Sequence, residues 1–252
     1  MMIVKLRLSL ITLFALLLIG ASARSALSEA AHAGATGAAQ ISEPTVASYV
    51  ERVEQAYRRL EARQAAEPPA QSLEERLARL AEIDQAGRKV FGALDFTLLP
   101  EADRKRGRLA AYAVVQRHDR EVEQAFVELV PAKGWFPISR YGVEVARSAF
   151  LIVQHAEDRP ELMRLALARL EEILPSDPAS GRYHAMLFDR IAMDEGRPQR
   201  FGTQMVCKTG RYVPYTIEDP DALDQRRREA GFSTSMEDYV SMFKDNPPCV
   251  EP

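Results

Sequence analysis

The sequence predicts a mainly α fold, a helical bundle-like domain with one short β-hairpin near the C-terminal third. From residue 42 onward, apolar residues recur at three- and four-residue spacing, which is the period of an amphipathic helix. Capping boxes mark several helix starts, as at Ser72 with Glu75. Two short apolar runs flank Thr209 and Gly210, a pattern typical of a hairpin turn. No repeat of fixed period is visible, so a solenoid is not expected.

The first part of this pattern, residues 42–130, predicts an N-terminal helical hairpin region of three helices. The first helix is expected to end before Pro68, because proline cannot continue a helix. The second begins after the cap at Ser72. Pro100 suits the first turn of a third helix, which runs to about Val130. All three are charged on their outer faces, as expected for helices that pack against one another.

Residues 131–252 predict a C-terminal helical domain. Within it, Asp158 and Glu161 have the spacing of a capping box at the start of a helix. The hairpin strands are expected at 203–207 and 212–216. Further short helices follow the hairpin.

The N-terminus, residues 1–23, reads as a secretory signal peptide. Lys5 and Arg7 supply positive charge, and an apolar run follows from Leu8 to Ile19. This run is shorter than the ~20 residues that a membrane-spanning helix needs. The small residues before Ala23 match a cleavage site. We therefore expect export to the periplasm or secretion, with no stable membrane span after cleavage.

A second cleavage point after Ala33 is also open. Residues 24–41 are rich in Ala, Gly and Ser and predict a flexible linker. The net charge of the whole chain is −3. Such mild acidity argues against a nucleic-acid partner, whose phosphates attract a basic surface. A cell-envelope partner or a small polar ligand remains open.

The two cysteines, Cys207 and Cys249, both lie near the C-terminus. In an oxidising compartment they can pair, and the sequence leaves pairing and free thiols equally open. A metal site is not expected, because the chain has four histidines and neither a His-Glu-x-x-His nor a Cys-x-x-Cys motif. No cofactor is expected either, since the glycine-rich nucleotide loops are missing.

The segment Gly196–Gln204, here called the polar segment, is the strongest site signal. It places Gln199, Thr203 and Gln204 among two glycines and a proline. Together with Gln154, these are the candidate ligand-binding residues, because neutral donors and acceptors suit sugars, amides or peptide backbone. The alternative is that they pin an irregular loop.

His155, near the end of an apolar helix, is a candidate general acid or base because its unperturbed pKa is close to neutrality. Asp189 is a candidate for orienting that imidazole, and Arg190 for clamping an anion. The alternatives are a hydrogen-bonded core histidine and an Asp-Arg pair that braces the polar segment. No Ser or Cys stands in a recognisable nucleophile motif, so acid–base chemistry is favoured over covalent catalysis.

Several motifs, in order along the chain, resemble those of a family of uncharacterised bacterial proteins known as a domain of unknown function. The motifs are Gly134–Ser139, Val153–Asp158 with its Gln-His-Ala-x-Asp core, Asp189-Arg190, Gly196–Gln204 and Asp224–Gly231. Phe201 stands where the family pattern leads us to expect tyrosine. The resemblance covers about residues 130–240 and implies positions rather than a reaction.

Two hypotheses follow from the sequence. The first is an exported binding or interaction module, whose polar segment holds a polar ligand or is structural. The second is a hydrolase- or lyase-like enzyme that uses His155 with Asp189 and Arg190. The environment of the imidazole separates the two hypotheses.

Overall fold

The structure, a computed structural model, describes residues 43–251. The predicted signal peptide (1–23), both candidate cleavage points and the predicted linker (24–41) lie outside the described residues.

The described residues form nine α-helices and one two-stranded antiparallel hairpin, which confirms the predicted fold class. The elements in chain order are α1 Val46–Ala66, α2 Leu73–Gly92, α3 Glu101–Val127, α4 Ile138–Tyr141, α5 Val143–Val153, α6 Pro160–Ile173, α7 Gly181–Asp194, β1 Met205–Lys208, β2 Arg211–Pro214, α8 Leu223–Glu229 and α9 Met236–Ser241. Within this part of the chain, no helix is long and apolar enough to cross a bilayer.

The helices α1, α2 and α3 pack against one another, as the N-terminal pattern predicts. The Ser72 hydroxyl accepts a hydrogen bond from the Glu75 amide at 3.1 Å, so the expected capping box at the start of α2 is present. In the middle of α2, Gly87 leaves room for the Tyr57 ring, because a Cβ there would lie 2.3 Å from it. This close approach brings α1 and α2 together where both are buried.

Two apolar cores run through the molecule. One lies among α1, α2 and α3, and the other is built mainly from α5, α6 and α7. Helix α2 contributes to both, with Phe91 in the first core, Leu77 in the second and Ile83 packed against each. Helix α3 does the same through Tyr112 and Phe126. The middle turns of α2 and α3 therefore lie at the junction of the two cores.

The hairpin is as expected in type, with slightly different bounds. Met205 pairs with Pro214 and Lys208 with Arg211. Thr209 has φ 50° and the following glycine has φ 77°, which is the left-handed geometry that tight hairpin turns need. The strand predicted from Thr203 begins two residues later, because Thr203 bonds to α7 instead.

Cys207 on β1 and Cys249 in the C-terminal tail form a disulfide. The sequence left this pairing open. The Cys249 amide also donates to the Gly210 carbonyl at 3.2 Å. The tail is thus fixed against the hairpin.

One predicted helix cap is wrong. Helix α6 begins at Pro160 after Arg159, and no side chain caps it. Asp158, expected to form that cap, instead lies 3.5 Å from Arg120 on α3. Pro160 itself occupies the first helical turn, where its missing amide hydrogen has no helical partner to lose.

Candidate functional site

The polar segment is fixed by a single carboxylate. Asp189, fully buried on α7, accepts hydrogen bonds from the amides of Arg200 at 2.7 Å, Phe201 at 3.1 Å and Thr203 at 3.0 Å. The Thr203 hydroxyl adds another at 3.0 Å. Burial raises the pKa of Asp189, while these hydrogen bonds oppose the rise. The side chain therefore organises the loop.

The two glutamines of the polar segment also bond within the fold. The Gln199 side-chain amide donates to the carbonyls of Gln204 at 3.0 Å and Tyr215 at 2.9 Å. Its oxygen accepts from the Gln204 amide at 2.8 Å. Gln204 in turn donates to the Thr203 hydroxyl at 3.1 Å. The candidate ligand-binding groups of this segment are therefore engaged with their own loop.

Helices α8 and α9 hold the segment from outside. The buried Arg227 guanidinium donates to the Phe201 carbonyl at 2.8 Å, and the Tyr239 hydroxyl donates to the Thr203 carbonyl at 2.9 Å. Gly202 has φ 68°, and a Cβ there would lie 2.6 Å from the Met236 sulfur. A side chain at this position would be strained and would meet α9.

A second polar region lies at the junction of the two apolar cores, and we call it the charged interior. It combines acidic, basic and aromatic side chains from α2, α3, α7 and the turn after α5. Its members are Asp84, Arg88, Tyr112, Asp119, Glu123, Gln154, His155, Glu157 and Arg190.

His155 pairs with Asp84 in this region. The imidazole Nδ1 lies 2.9 Å and 3.0 Å from the two carboxylate oxygens of Asp84 on α2. Asp84 is fully enclosed, and the His155 side chain keeps 9% of its surface exposed. No other hydrogen bond to the imidazole is found within the described residues, so Nε2 is left without a protein partner.

The charge states of this pair follow from its surroundings. Burial lowers the pKa of His155, and the nearby Arg88 guanidinium lowers it further. Burial acts to raise the pKa of Asp84, but the charges of His155 and Arg88 hold it below its usual value. A neutral imidazole beside an ionised carboxylate must donate from Nδ1, because the carboxylate only accepts. The Nε2 lone pair is then the basic site.

Arg88 links this pair to a second carboxylate. Its guanidinium lies 3.7 Å from Asp84 and bonds to Asp119 on α3 at 2.6 Å. Burial, with Asp84 and Glu157 nearby, raises the pKa of Asp119 to about 8. Burial likewise raises the pKa of Glu123 to about 7. Neighbouring groups in one interior are therefore driven toward different protonation states at neutral pH.

Arg190 closes the other side of the charged interior. Its guanidinium forms an ion pair with Glu157, and the Tyr112 hydroxyl donates to the same carboxylate at 3.3 Å. Burial acts to lower the pKa of Arg190, but Glu157 and Asp194 raise it. Gln154 is buried, and its side-chain nitrogen makes no hydrogen bond within the described residues.

The structure thus separates the residues that the sequence grouped. His155, Gln154 and Arg190 lie in the charged interior, whereas Asp189 serves the polar segment. The carboxylate that orients the imidazole is Asp84. Among residues 43–251, no group of three His, Cys, Asp or Glu side chains is arranged to hold a metal ion.

Sequence reasoning missed Asp84, Arg88 and Asp119. Their signal was present in the helical spacing. On α2, Asp84 and Arg88 continue the inward face that includes Leu77 and Phe91. On α3, Asp119 occupies an inward position in the same way. Charged residues at core positions of a helix are rare unless they are paired, and this identifies them as candidates.

Comparison with known proteins places the chain in a family. No curated protein and no solved structure matches it significantly. A family of unknown function, DUF6624, matches residues 71–248. This range begins just before α2 and includes both the charged interior and the polar segment. The chain therefore belongs to the family of unknown function DUF6624.

Proposed function

We propose that this chain is an exported enzyme of hydrolase or lyase type, in which His155 is the general base and Asp84 orients its imidazole. The observation that carries the proposal is the hydrogen bond from Nδ1 to a buried carboxylate, while Nε2 has no hydrogen-bond partner among residues 43–251. This arrangement fixes the ring and its tautomer, as an acid does in hydrolase triads.

The surrounding groups support proton transfer. A general base must be unprotonated, and the lowered pKa of His155 keeps its imidazole neutral near neutral pH. An acid needs a proton, and the pKa of Asp119, raised to about 8, keeps one available. Neighbouring groups whose pKa values are pushed apart are typical of acid–base pairs in enzymes.

Export is the second part of the proposal. The signal-like N-terminus motivates it, and the disulfide between Cys207 and Cys249 supports it, because disulfides persist in oxidising compartments.

The alternative is a binding or interaction module for a polar ligand or a cell-envelope partner. It rested on free donors and acceptors in the polar segment. The side chains of Gln199, Thr203 and Gln204 are instead bonded within the fold. The geometry therefore favours the enzyme, although Gln154 remains a candidate ligand-binding residue.

A stability measurement on His155→Gln tests the proposal, with His184→Gln as the matched control. His184 is also bonded to a carboxylate, that of Glu171 at 3.2 Å, but on the surface. A catalytic His155 contributes little to folding, so we expect the free energy of unfolding in urea to change as little as in the control. A loss of roughly 2 kcal/mol or more confined to His155→Gln would instead make the imidazole a structural brace.

The activity arm uses chromogenic ester, phosphodiester and glycoside substrates. We expect turnover by the parent chain to increase with pH through the lowered pKa of His155, and to fall again as Asp119 loses its proton near pH 8. His155→Gln and Asp84→Asn should lose it, and His184→Gln should keep it. Activity that survives His155→Gln would contradict the assignment.

A further inference from the structure

Arg88 is a buried cation that lies between two carboxylates of the charged interior. It is on α2, one helical turn after Asp84, and 14% of its side-chain surface is exposed. Its Nη2 donates to Oδ2 of Asp119 on α3 at 2.6 Å, and its Nε lies 3.7 Å from Oδ1 of Asp84. Because Asp84 bonds to His155, one guanidinium contacts both the carboxylate that orients the proposed base and the carboxyl proposed as the acid.

The contact of Arg88 with Asp84 acts through charge. A separation of 3.7 Å is too long for a hydrogen bond, but a positive charge at that distance favours the ionised carboxylate. The same charge disfavours a second positive charge on the imidazole. Burial lowers the pKa of His155, and Arg88 and then Arg190 on α7 lower it further, while Asp84 acts against them.

The contact of Arg88 with Asp119 selects one carboxyl oxygen. Oδ2 accepts the hydrogen bond, and Oδ1 makes no hydrogen bond within the described residues. Burial raises the pKa of Asp119 to about 8, and the nearby Asp84 and Glu157 also raise it while Arg88 opposes the rise. A guanidinium only donates, and the stronger acceptor of a protonated carboxyl is its carbonyl oxygen, so the proton of Asp119 lies on Oδ1.

The Tyr57 ring of α1 packs against both helices that carry this bridge. It stacks on the His118 ring with the two centroids 3.6 Å apart, and a Cβ at Gly87 would lie 2.3 Å from it. Gly87 directly precedes Arg88, and His118 directly precedes Asp119. The same aromatic ring therefore fixes the neighbours of both partners in the bridge.

We propose that Arg88 is a positioning residue of the site, which keeps Asp84 ionised as the acceptor for His155 and makes Oδ1 of Asp119 the proton-bearing oxygen. The inference rests on the proposed function, because it assigns protonation states to the base and the acid of that reaction. Burial acts to lower the pKa of Arg88, but Asp119 and Asp84 raise it above its usual high value. The guanidinium therefore stays charged and acts through its two partners.

An NMR titration of the imidazole nitrogens in the full chain tests this role. The signals of His155 are identified by their loss in His155→Gln. We expect Arg88→Met to raise the pKa of His155 by about one pH unit or more, because the charge that disfavours the imidazolium is removed. Arg79→Met is the matched control, since Arg79 lies on the same helix and pairs with Glu67 outside the charged interior, and it should leave this pKa unchanged.

Two further variants separate charge from packing. Arg88→Gln removes the charge but keeps a donor for Asp119, so it serves where Arg88→Met does not fold, and we expect the same rise in the pKa of His155. Arg88→Lys keeps the charge and should leave that pKa close to its value in the parent chain. An unchanged pKa in the folded uncharged variants would overturn the role, and so would an equal rise in Arg88→Lys.

The pH profile of turnover supplies a second measurement. Arg88 lowers the pKa of both His155 and Asp119, so both limbs of the profile should move to higher pH in Arg88→Gln. A loss of turnover with both limbs in place would contradict the positioning role. Turnover that survives His155→Gln would instead remove the proposed function, and the NMR result for Arg88 would stand by itself.

Discussion

The polar segment and the charged interior both bury polar side chains, but they differ in how fully those groups are bonded. In the polar segment, Asp189 accepts hydrogen bonds from three backbone amides and a hydroxyl. Gln199 bonds through both the nitrogen and the oxygen of its side-chain amide. In the charged interior, several buried atoms make no hydrogen bond within the described residues. They are Arg88 Nε, Asp119 Oδ1, Glu123 Oε2, Gln154 Nε2 and Glu157 Oε2.

This difference is the reason why we propose a structural role for the polar segment and a functional role for the charged interior. A fully bonded buried network rigidifies a fold, whereas buried groups left unbonded are unfavourable and need another explanation. The groups with the strongly raised carboxyl pKa values, Asp119 and Glu123, also belong to the charged interior. Perturbed titration of this kind is common at functional sites.

The largest expected effect is in the polar segment. Asp189→Ala leaves the amides of Arg200, Phe201 and Thr203 without their acceptor, so we expect a loss of about 5 kcal/mol in the free energy of unfolding, or failure to fold. Urea denaturation measures this. Asp158→Ala is the control, because that exposed carboxylate makes one ion pair and should matter by less than about 1 kcal/mol. Similar losses in the two variants would contradict a bracing role for Asp189.

The pH dependence of stability tests the charged interior. Asp119 has a pKa of about 8 in the folded chain against 3.8 as its ordinary value, so the folded state holds a proton that the unfolded state releases. The free energy of unfolding should therefore fall as pH rises toward 8. Between pH 6.5 and 8 we expect a loss of about 2 kcal/mol.

The lowered pKa values of His155 and His118 oppose this decline only weakly above pH 6.5, by about 0.4 kcal/mol for each histidine, because an unfolded histidine is already half deprotonated at pH 6.5. Below it, His155 acts in the opposite direction and stabilises the fold as pH rises. Chemical denaturation at several pH values measures both slopes. Asp119→Asn should reduce the decline between pH 6.5 and 8 to the smaller part that Glu123, with its pKa raised to about 7, contributes. An undiminished decline in that variant would refute the assignment to Asp119.

The smallest expected effect on stability concerns the hydrogen bond that Tyr239 of α9 donates to the polar segment. Tyr239→Phe removes the hydrogen bond to the Thr203 carbonyl, and we expect it to reduce stability by about 1 kcal/mol. Thermal unfolding measures the change. Tyr141→Phe serves as the control, since no hydrogen bond of the Tyr141 hydroxyl is found within the described residues. Equal decreases in melting temperature for Tyr239→Phe and Tyr141→Phe would show that the hydrogen bond from Tyr239 adds no measurable stability.

Local pattern predicted the helices and the hairpin turn at Thr209, and it singled out His155 as a candidate site residue. It also singled out Asp189 and Arg190 as candidate site residues. It did not identify the carboxylate that bonds to His155, because Asp84 lies 71 positions from His155 and meets it only when α2 packs against α5. Contacts between distant helices depend on how their faces fit together, and spacing within one helix carries no such information.

Asp189 and Arg190 are neighbours on α7, yet one anchors the polar segment and the other binds Glu157 near His155. One turn of helix therefore joins the two regions mechanically. A displacement of α7 by a substitution in the polar segment would move the Arg190 guanidinium and change the field at the imidazole. Mutations that only loosen a distant loop would then alter the proton affinity of His155.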